Sequence, residues 1–299
     1  VHPELKKNPL GFWEVINKPS SEALKEYYAN KYYQQSLGSY EATYTEDELT
    51  YFETKLAQKF YVINQLLAEN VSQVKTLLDV GCGEGYALSF FKKHGWNVKG
   101  IDFSAAGVMS KNPDCMENLV TGDVFELLHQ EILSGHTYQL VWLQNVLEHV
   151  VDPLDLLAAL KKVLRPDGIA VVTVPNDFSV TQLTALQKTH IQEPFWVALP
   201  DHLNYYDYDS LKKTVTSTGW EPLEIIADFP VDWFLFNSAS NYVTNPAVGR
   251  SAHIARVQIE NYIQQQPAED VIALWSAMAK VGVGRDLTIF LRARPLSEA

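Results

Sequence analysis

The chain is 299 residues long, 46% hydrophobic and 20% charged, the composition of an ordinary globular protein with room for a full core. A formal net charge of −12 argues against nucleic acid or an anionic membrane as partner. Two cysteines exclude a disulfide framework, and with no apolar run of membrane-span or signal-peptide type a cytoplasmic protein is expected.

Residues 1–70 are polar and tyrosine-rich and read as a helical N-terminal cap. A helix is predicted over 21–33, where Ser20 or Ser21 with carboxylates shortly after suggests a capping box before Leu24, Tyr27 and Tyr28. A second is predicted over 46–70, with Leu49, Phe52, Leu56, Phe60 and Ile63 on one face. From Thr76 the rhythm becomes strand–helix–strand. Strands are predicted over 76–80, 97–101, 115–120, 138–143 and 169–174, helices over 86–94 and 153–164, and a short helix capped by Ser104. A helix over 209–218 precedes a sixth strand over 223–227, and a seventh is predicted over 287–291. Between these two lies an insertion of roughly 55 residues, too long for a bare loop and read as a lid, with helices over 251–266 and 268–280. Continuous apolar strands alternating with helices give an α/β fold: a Rossmann-like, seven-stranded, mostly parallel sheet. The expected parts are a cap (1–70), a core (71–230), a helical insertion (231–284) and a final strand with its tail (285–299).

Asp79-Val80-Gly81-Cys82-Gly83-Glu84-Gly85 follows the first strand of this series and opens a helix. Glycines there let the backbone approach a ligand, and the N–H groups of a helix start attract its anionic part. The dinucleotide fingerprint needs a glycine at position 86, which is Tyr86. An acid followed by GxGxG instead leaves room for a side chain, Asp79, to hold a cationic group or the turn that presents it. Asp102, closing the second strand, suits two ribose hydroxyls or a helix cap. Asp123, after the third strand, suits an adenine amine, with the Val124 N–H donating to a ring nitrogen, or again a cap. Gln144 and Asn145 follow the fourth strand and are placed on the pocket floor.

Together DVGCGEG, Asp102, Asp123, NVLEHVVDP and LRPDGIAVVTVPN resemble the class I S-adenosylmethionine (SAM)-dependent methyltransferases, in the branch similar to ubiquinone-type O-methyltransferases. The resemblance is dense over residues 74–175 and continues in 201–219 (DHLNYYDYDSLKKTVTSTG). The cap and residues 231–285 are more narrowly similar to bacterial methyltransferases of surface-saccharide gene clusters. The resemblance implies SAM as cofactor and S-adenosylhomocysteine (SAH) as product. It implies cofactor contacts from Asp79, Gly81, Cys82, Gly83, Asp102, Phe103, Asp123, Val124, Gln144 and Asn145, with Tyr32 of the cap closing over the sulfonium.

Methyl transfer from a sulfonium has a neutral leaving group, so the protein must align the acceptor and supply a base for a hydroxyl. His149 and His202 are the candidate bases, with His253 a weaker third. Tyr33, Asn204, Tyr205 and Arg250 are expected on the substrate side, and Arg250, Arg256 and Arg285 are candidates to grip a phosphate or carboxylate. No metal is expected, although Glu148, His149 and Asp152 hold ligand chemistry. The expected acceptor is a small molecule, a saccharide or sugar-nucleotide hydroxyl, with a phenol or quinone-like molecule or an amine as alternatives. The expected macromolecular partner is a second copy of the chain. An NAD-dependent oxidoreductase and a non-catalytic SAM-binding module are the rival readings.

Overall fold

A computed structural model describes residues 2–20, 22–24, 27, 43–67 and 74–294. The first two strands, β1 (Leu5–Lys7) and β2 (Trp13–Val15), form a hairpin. Its turn closes through Gly11, whose N–H donates to the Asn8 carbonyl at 2.8 Å and whose φ of +101° suits glycine. The N-terminal part is therefore not wholly helical. Of the helix expected over 21–33, residues 22–24 and 27 are described and are helical; Tyr28, Tyr32 and Tyr33 lie outside the described residues. The second expected helix is present as α1 (Glu46–Leu67).

The central elements then follow as β3 (Thr76–Val80), α2 (Tyr86–Lys93), β4 (Asn97–Asp102), α3 (Ala106–Lys111), β5 (Leu119–Thr121) and α4 (Val124–Leu133). After them come β6 (Tyr138–Gln144), α5 (Pro153–Val163), β7 (Leu164–Pro175), α6 (Val180–Gln187), β8 (Asn204–Tyr205), α7 (Tyr208–Ser217) and β9 (Trp220–Ala227). The last are α8 (Gly249–Ile263), α9 (Ala268–Lys280) and β10 (Asp286–Ala293). The third predicted strand of the sheet is shorter than expected. Pro113–Asn118 winds into a 3₁₀ turn with Pro113 at its start, where a missing N–H costs nothing, and only β5 pairs with β4.

Seven strands form one sheet in the order β5-β4-β3-β6-β7-β10-β9. The pairs among β5, β4, β3, β6 and β7 are parallel, and β10 runs antiparallel between β7 and β9. The central strands are apolar because both faces are covered. Leu128, Leu156, Leu160 and Val215 pack one face, and Ile63, Leu88, Phe91 and Trp275 the other. A separate sheet, β1-β2-β8, pairs Trp13 with Tyr205, and Trp13 stacks on Phe178 at 5.2 Å.

The helices of the insertion pack on the domain: α8 lies along α1, and α9 covers β9. Polar ties fix α8. Arg250 donates to Glu48 at 2.7 Å and His253 meets the same carboxylate at 2.8 Å. The Arg250 bond, helped by Thr45 and His253 and opposed by burial, holds Glu48 down at about 2. Below it, Lys55 meets Asp228 at 2.9 Å and Glu260 at 3.7 Å. No helix among the described residues is long and apolar enough to cross a membrane.

Candidate functional site

The glycine turn begins where β3 ends. The Gly81 N–H donates to the Ile101 carbonyl at 2.8 Å and the Gly85 N–H to the Cys82 carbonyl at 2.9 Å, bending the chain from strand into α2. Gly81 has φ +75°, and a Cβ there would stand 2.5 Å from a methyl of Val146. Gly107, at the start of α3, is a second requirement. A Cβ there would lie 2.4 Å from the Gly83 carbonyl oxygen, so the helix presses directly on the turn. Asp102 braces the turn from β4, accepting from the Gly83 N–H at 2.8 Å and from the Ser104 N–H at 3.0 Å. Burial pushes the Asp102 carboxyl up, and the amides of Ser104, Gly83 and Phe103 hold it back.

These groups line a cavity of about 980 Å³, at the upper end of ordinary ligand pockets and large enough for a nucleoside cofactor with a second molecule beside it. The cavity follows the carboxyl edge of the sheet. Asp123 stands after β5, Asp102 at the end of β4, Asp79 and Gly81 at β3, Gln144 at the end of β6, and Asp286 at the start of antiparallel β10 opposite Pro175. Cys82, Gly83, Phe103, Val124, Asn145 and His149 complete the expected residues that line it. Asp123 lines the cavity and also caps α4, accepting from the Glu126 N–H at 2.9 Å.

Four expected residues fall elsewhere. Asn204 is fully buried in β8, donating to the Val150 carbonyl at 2.7 Å and accepting from Lys18 at 3.2 Å. Tyr205 is buried beside it, its hydroxyl donating to the His202 carbonyl at 2.9 Å. Both fasten the small sheet, because pairing with β2 turns them into its core. Arg250 is held by Glu48 on the outer side of α8, outside the cavity lining. His202 does not line the cavity either; its ring stands edge-on to His149 with centroids 4.8 Å apart. Tyr32 and Tyr33 lie outside the described residues.

His149 does line the cavity, and its Nδ1 lies 2.8 Å from the Asp201 carbonyl. A carbonyl can only accept, so in the neutral ring the proton sits on Nδ1 and Nε2 carries the lone pair. Atoms of Glu148, His149 and His202 come within 4.8 Å of one another. Burial drives the Glu148 carboxyl well above the usual range, and Asp152 stands apart from this group, capping α5 by accepting from the Leu154 N–H at 3.0 Å.

The cavity also holds Arg256, one of the arginines expected to grip an anion, together with residues the sequence did not mark. Tyr51, Lys55 and Lys59 project from α1 at four-residue spacing, and Arg256 of α8 and Asp286 join them. Lys59 is 4% exposed. It donates to Gln144 at 3.0 Å and to Thr173 at 3.2 Å, both neutral, and lies 5.1 Å from the centre of the Trp142 ring. Burial, then Lys55, brings Lys59 down to about 7 against the pull of Asp286, Asp228 and Glu260. Burial, then Asp102, pushes Asp79 up to about 8 against the pull of Lys59. A stripe of two lysines and a tyrosine beside Phe52, Leu56 and Phe60 was the available signal.

A family model described as "Methyltransferase domain" matches residues 54–225, more than half of the chain. Among curated proteins the chain is similar to ubiquinone biosynthesis O-methyltransferases. That of Pasteurella multocida is 29% identical over 113 residues, covering 34% of this chain and 47% of the relative. That of Histophilus somni is 28% identical over 153 residues, covering 49% and 62%. The chain thus spans about half the length of the curated relatives it matches. Among solved structures, a SAM-dependent methyltransferase from Archaeoglobus fulgidus superposes with a TM-score of 0.50 at 17% identity, covering 89% of this chain and 98% of that one. The plantazolicin methyltransferase BpumL, solved with a substrate analogue and SAH, gives 0.53 at 13% identity, covering 91% and 94%. At these identities the structures speak for the fold.

Proposed function

Because the chain belongs to the methyltransferase-domain family and has the class I SAM-dependent methyltransferase fold, we propose that it transfers the methyl group of SAM to an oxygen of a small polar molecule, a saccharide or sugar-nucleotide hydroxyl. The observation that carries the reading is the shape of the cavity: a glycine cradle braced by Asp102 at one side, continuous with a charged wall at the other. Asp102 is suited to the ribose hydroxyls, Asp123 and Val124 to adenine, and Asp79 and Lys59 to the ammonium and carboxylate of the methionine part. Tyr86 in place of a third glycine disfavours NAD. Stabilisation of the protein by SAH, and label passing from methyl-labelled SAM into a small molecule, test the proposal. Stabilisation by NADH alone would overturn it, and SAH binding without any transfer would favour a non-catalytic module.

A phenolic acceptor is the second reading, favoured by the names of the curated relatives. The aromatic part of the cavity lining, with Phe52, Tyr86 and Trp142, also suits a flat ring, whereas Arg256 and Asp286 in the same lining suit a polar, charged acceptor.

In the reaction the acceptor oxygen attacks the methyl carbon, the C–S bond breaks, and the sulfonium becomes a neutral thioether. We assign the removal of the hydroxyl proton to His149, which lines the cavity and turns its Nδ1 to the Asp201 carbonyl. Replacing His149 by Ala is expected to lower turnover at least about tenfold with SAH affinity unchanged. Turnover within twofold of wild type would remove His149 from the chemistry.

The two shifted groups at the methionine end give a pH signature. Below pH 7 Lys59 already carries its proton, whereas Asp79 must lose one to meet an ammonium, so binding releases a proton and strengthens as pH rises. Above pH 8 Asp79 is already ionised, whereas Lys59 must regain its proton to meet a carboxylate, so binding takes one up and weakens as pH rises further. SAH affinity is expected to peak between about pH 7 and 8. Calorimetry in buffers of different ionisation enthalpy checks the sign of proton exchange on either side; release at both ends would refute the assignment of Lys59.

A further inference from the structure

Three arginines flank the insertion, and the structure separates them. Arg250 is held by Glu48 at 2.7 Å, and Arg285 by Asp177 at 3.1 Å. Arg256 lines the cavity. Its only polar contact among the described residues is with the ring nitrogen of His253 at 3.0 Å, and its guanidinium lies 5.3 Å from the centre of the Tyr51 ring. Its Nε is buried with no hydrogen-bond partner, and no carboxylate stands within 4.0 Å of it among the described residues. A guanidinium left in this state is costly unless something else supplies the acceptors.

Asp286 is the complementary case. Its backbone N–H is taken by Asp228 at 2.8 Å, but its carboxylate faces the cavity with no hydrogen bond or ion pair among the described residues. The neighbouring Lys55 is already committed to Asp228 and Glu260. The cavity lining therefore offers one fork of donors and one pair of acceptor oxygens besides the glycine turn. Neither makes an ion pair among the described residues, although Tyr51, Asp228, Glu260 and Asp286 act on the Arg256 charge at longer range, and both line the same cavity as the glycine turn.

We propose that Arg256 and Asp286 are the acceptor-recognition pair, selecting a hydroxylated molecule that bears an anionic group, carboxylate or phosphate. Arg256 receives the anion through its planar fork, and Asp286 accepts from a hydroxyl of the same molecule. Lysine in place of Arg256 would keep the charge but lose the fork. A neutral acceptor would leave the guanidinium buried and unpaired, which is how such a site rejects it. This inference rests on the methyl-transfer reading and specifies the substrate class of the same site.

The test supplies methyl-labelled SAM and a small-metabolite extract of the producing cells to the wild type, Arg256→Met, Arg256→Lys and Asp286→Asn. Labelled product is then separated on an anion exchanger at neutral pH. The expected result is a labelled product retained on the exchanger. At limiting extract its formation falls at least tenfold in Arg256→Met, less in Arg256→Lys, and severalfold in Asp286→Asn. SAH affinity and melting temperature of each variant should stay near wild type, which separates recognition from folding. Labelled product in the flow-through would overturn the proposal, as would Arg256→Met making it at the wild-type rate. No labelled product from wild type that binds SAH would instead overturn the methyl-transfer reading itself.

Discussion

Replacing Asp102 by Ala is expected to weaken SAM and SAH binding by at least about 100-fold, roughly 2.7 kcal/mol, measured by calorimetric titration. The carboxylate does two things at once. It holds the Gly83 and Ser104 amides at 2.8 and 3.0 Å, and in the proposed reading it also accepts from the ribose hydroxyls. A hydrogen bond to a charged group contributes about 1.5–3 kcal/mol, so losing the ribose contacts alone accounts for the expected change. Loss of the brace adds to it by freeing the glycine turn, whose geometry α3 otherwise enforces through Gly107. Asp102→Asn keeps one acceptor oxygen and should fall between the two. A dissociation constant for Asp102→Ala within fivefold of wild type would mean that the nucleoside lies elsewhere.

The largest expected loss of stability follows from Lys55→Met. The lysine joins α1 to Asp228 at the end of β9 and to Glu260 of α8, and the two carboxylates are 3% and 0% exposed. Removing the cation leaves them facing each other in the interior, at a cost of about 3–5 kcal/mol. In a chain of this size that lowers the melting temperature by roughly 6–10 °C. The sign with pH is also fixed. In the wild type burial would raise Asp228, but Lys55 and the Asp286 amide outweigh it and hold the carboxyl below its ordinary value. Its contribution is thus present above the unfolded pKa and lost as pH falls through the lower folded one. Without Lys55 the shift reverses, the folded state binds protons more tightly, and the variant should lose stability as pH rises from about 4 toward neutrality. Thermal melts across that range check it, and a deficit growing toward acid would contradict the account. Adding Asp228→Asn should recover part of the loss, since the amide oxygen still accepts from Arg285 and Asp286.

The sheet was largely legible because its inner strands are buried on both faces, so Leu140–Leu143 and Ile169–Val172 read as unbroken apolar runs. The residues expected to hold the cofactor, which the structure places in the cavity lining, were legible for a related reason. Asp79, Asp102, Asp123 and Gln144 each end or follow such a run, and ends of parallel strands are where α/β sheets hold ligands. The hairpin β1–β2 was not legible. Each strand has three residues and is held by β8, nearly two hundred positions away, so no local pattern announces it. The charged part of the lining was half legible. Arg256 stood out in sequence only as one of three arginines near the insertion, while Lys59 and Asp286, from α1 and β10, read as solvated charges until distant elements close around them. Asn204 and Tyr205 erred in the opposite direction: polar groups beside the catalytic segment turned out to be internal fasteners.

The antiparallel placement of β10 between β7 and β9 has a consequence for the order in which the molecule is made. The glycine turn and the other cavity-lining groups at the ends of the parallel strands are all made by the time β7 has been synthesised, whereas Asp201, Arg256 and Asp286 of the same lining follow Pro175. The acceptor wall needs α8 and then β10, which must enter between two strands already in place. A nascent chain emerging from the ribosome would acquire its nucleoside pocket early and its selectivity only with its last strand. Until that strand inserts, the inward edges of β7 and β9 remain unpaired and open to wrong partners.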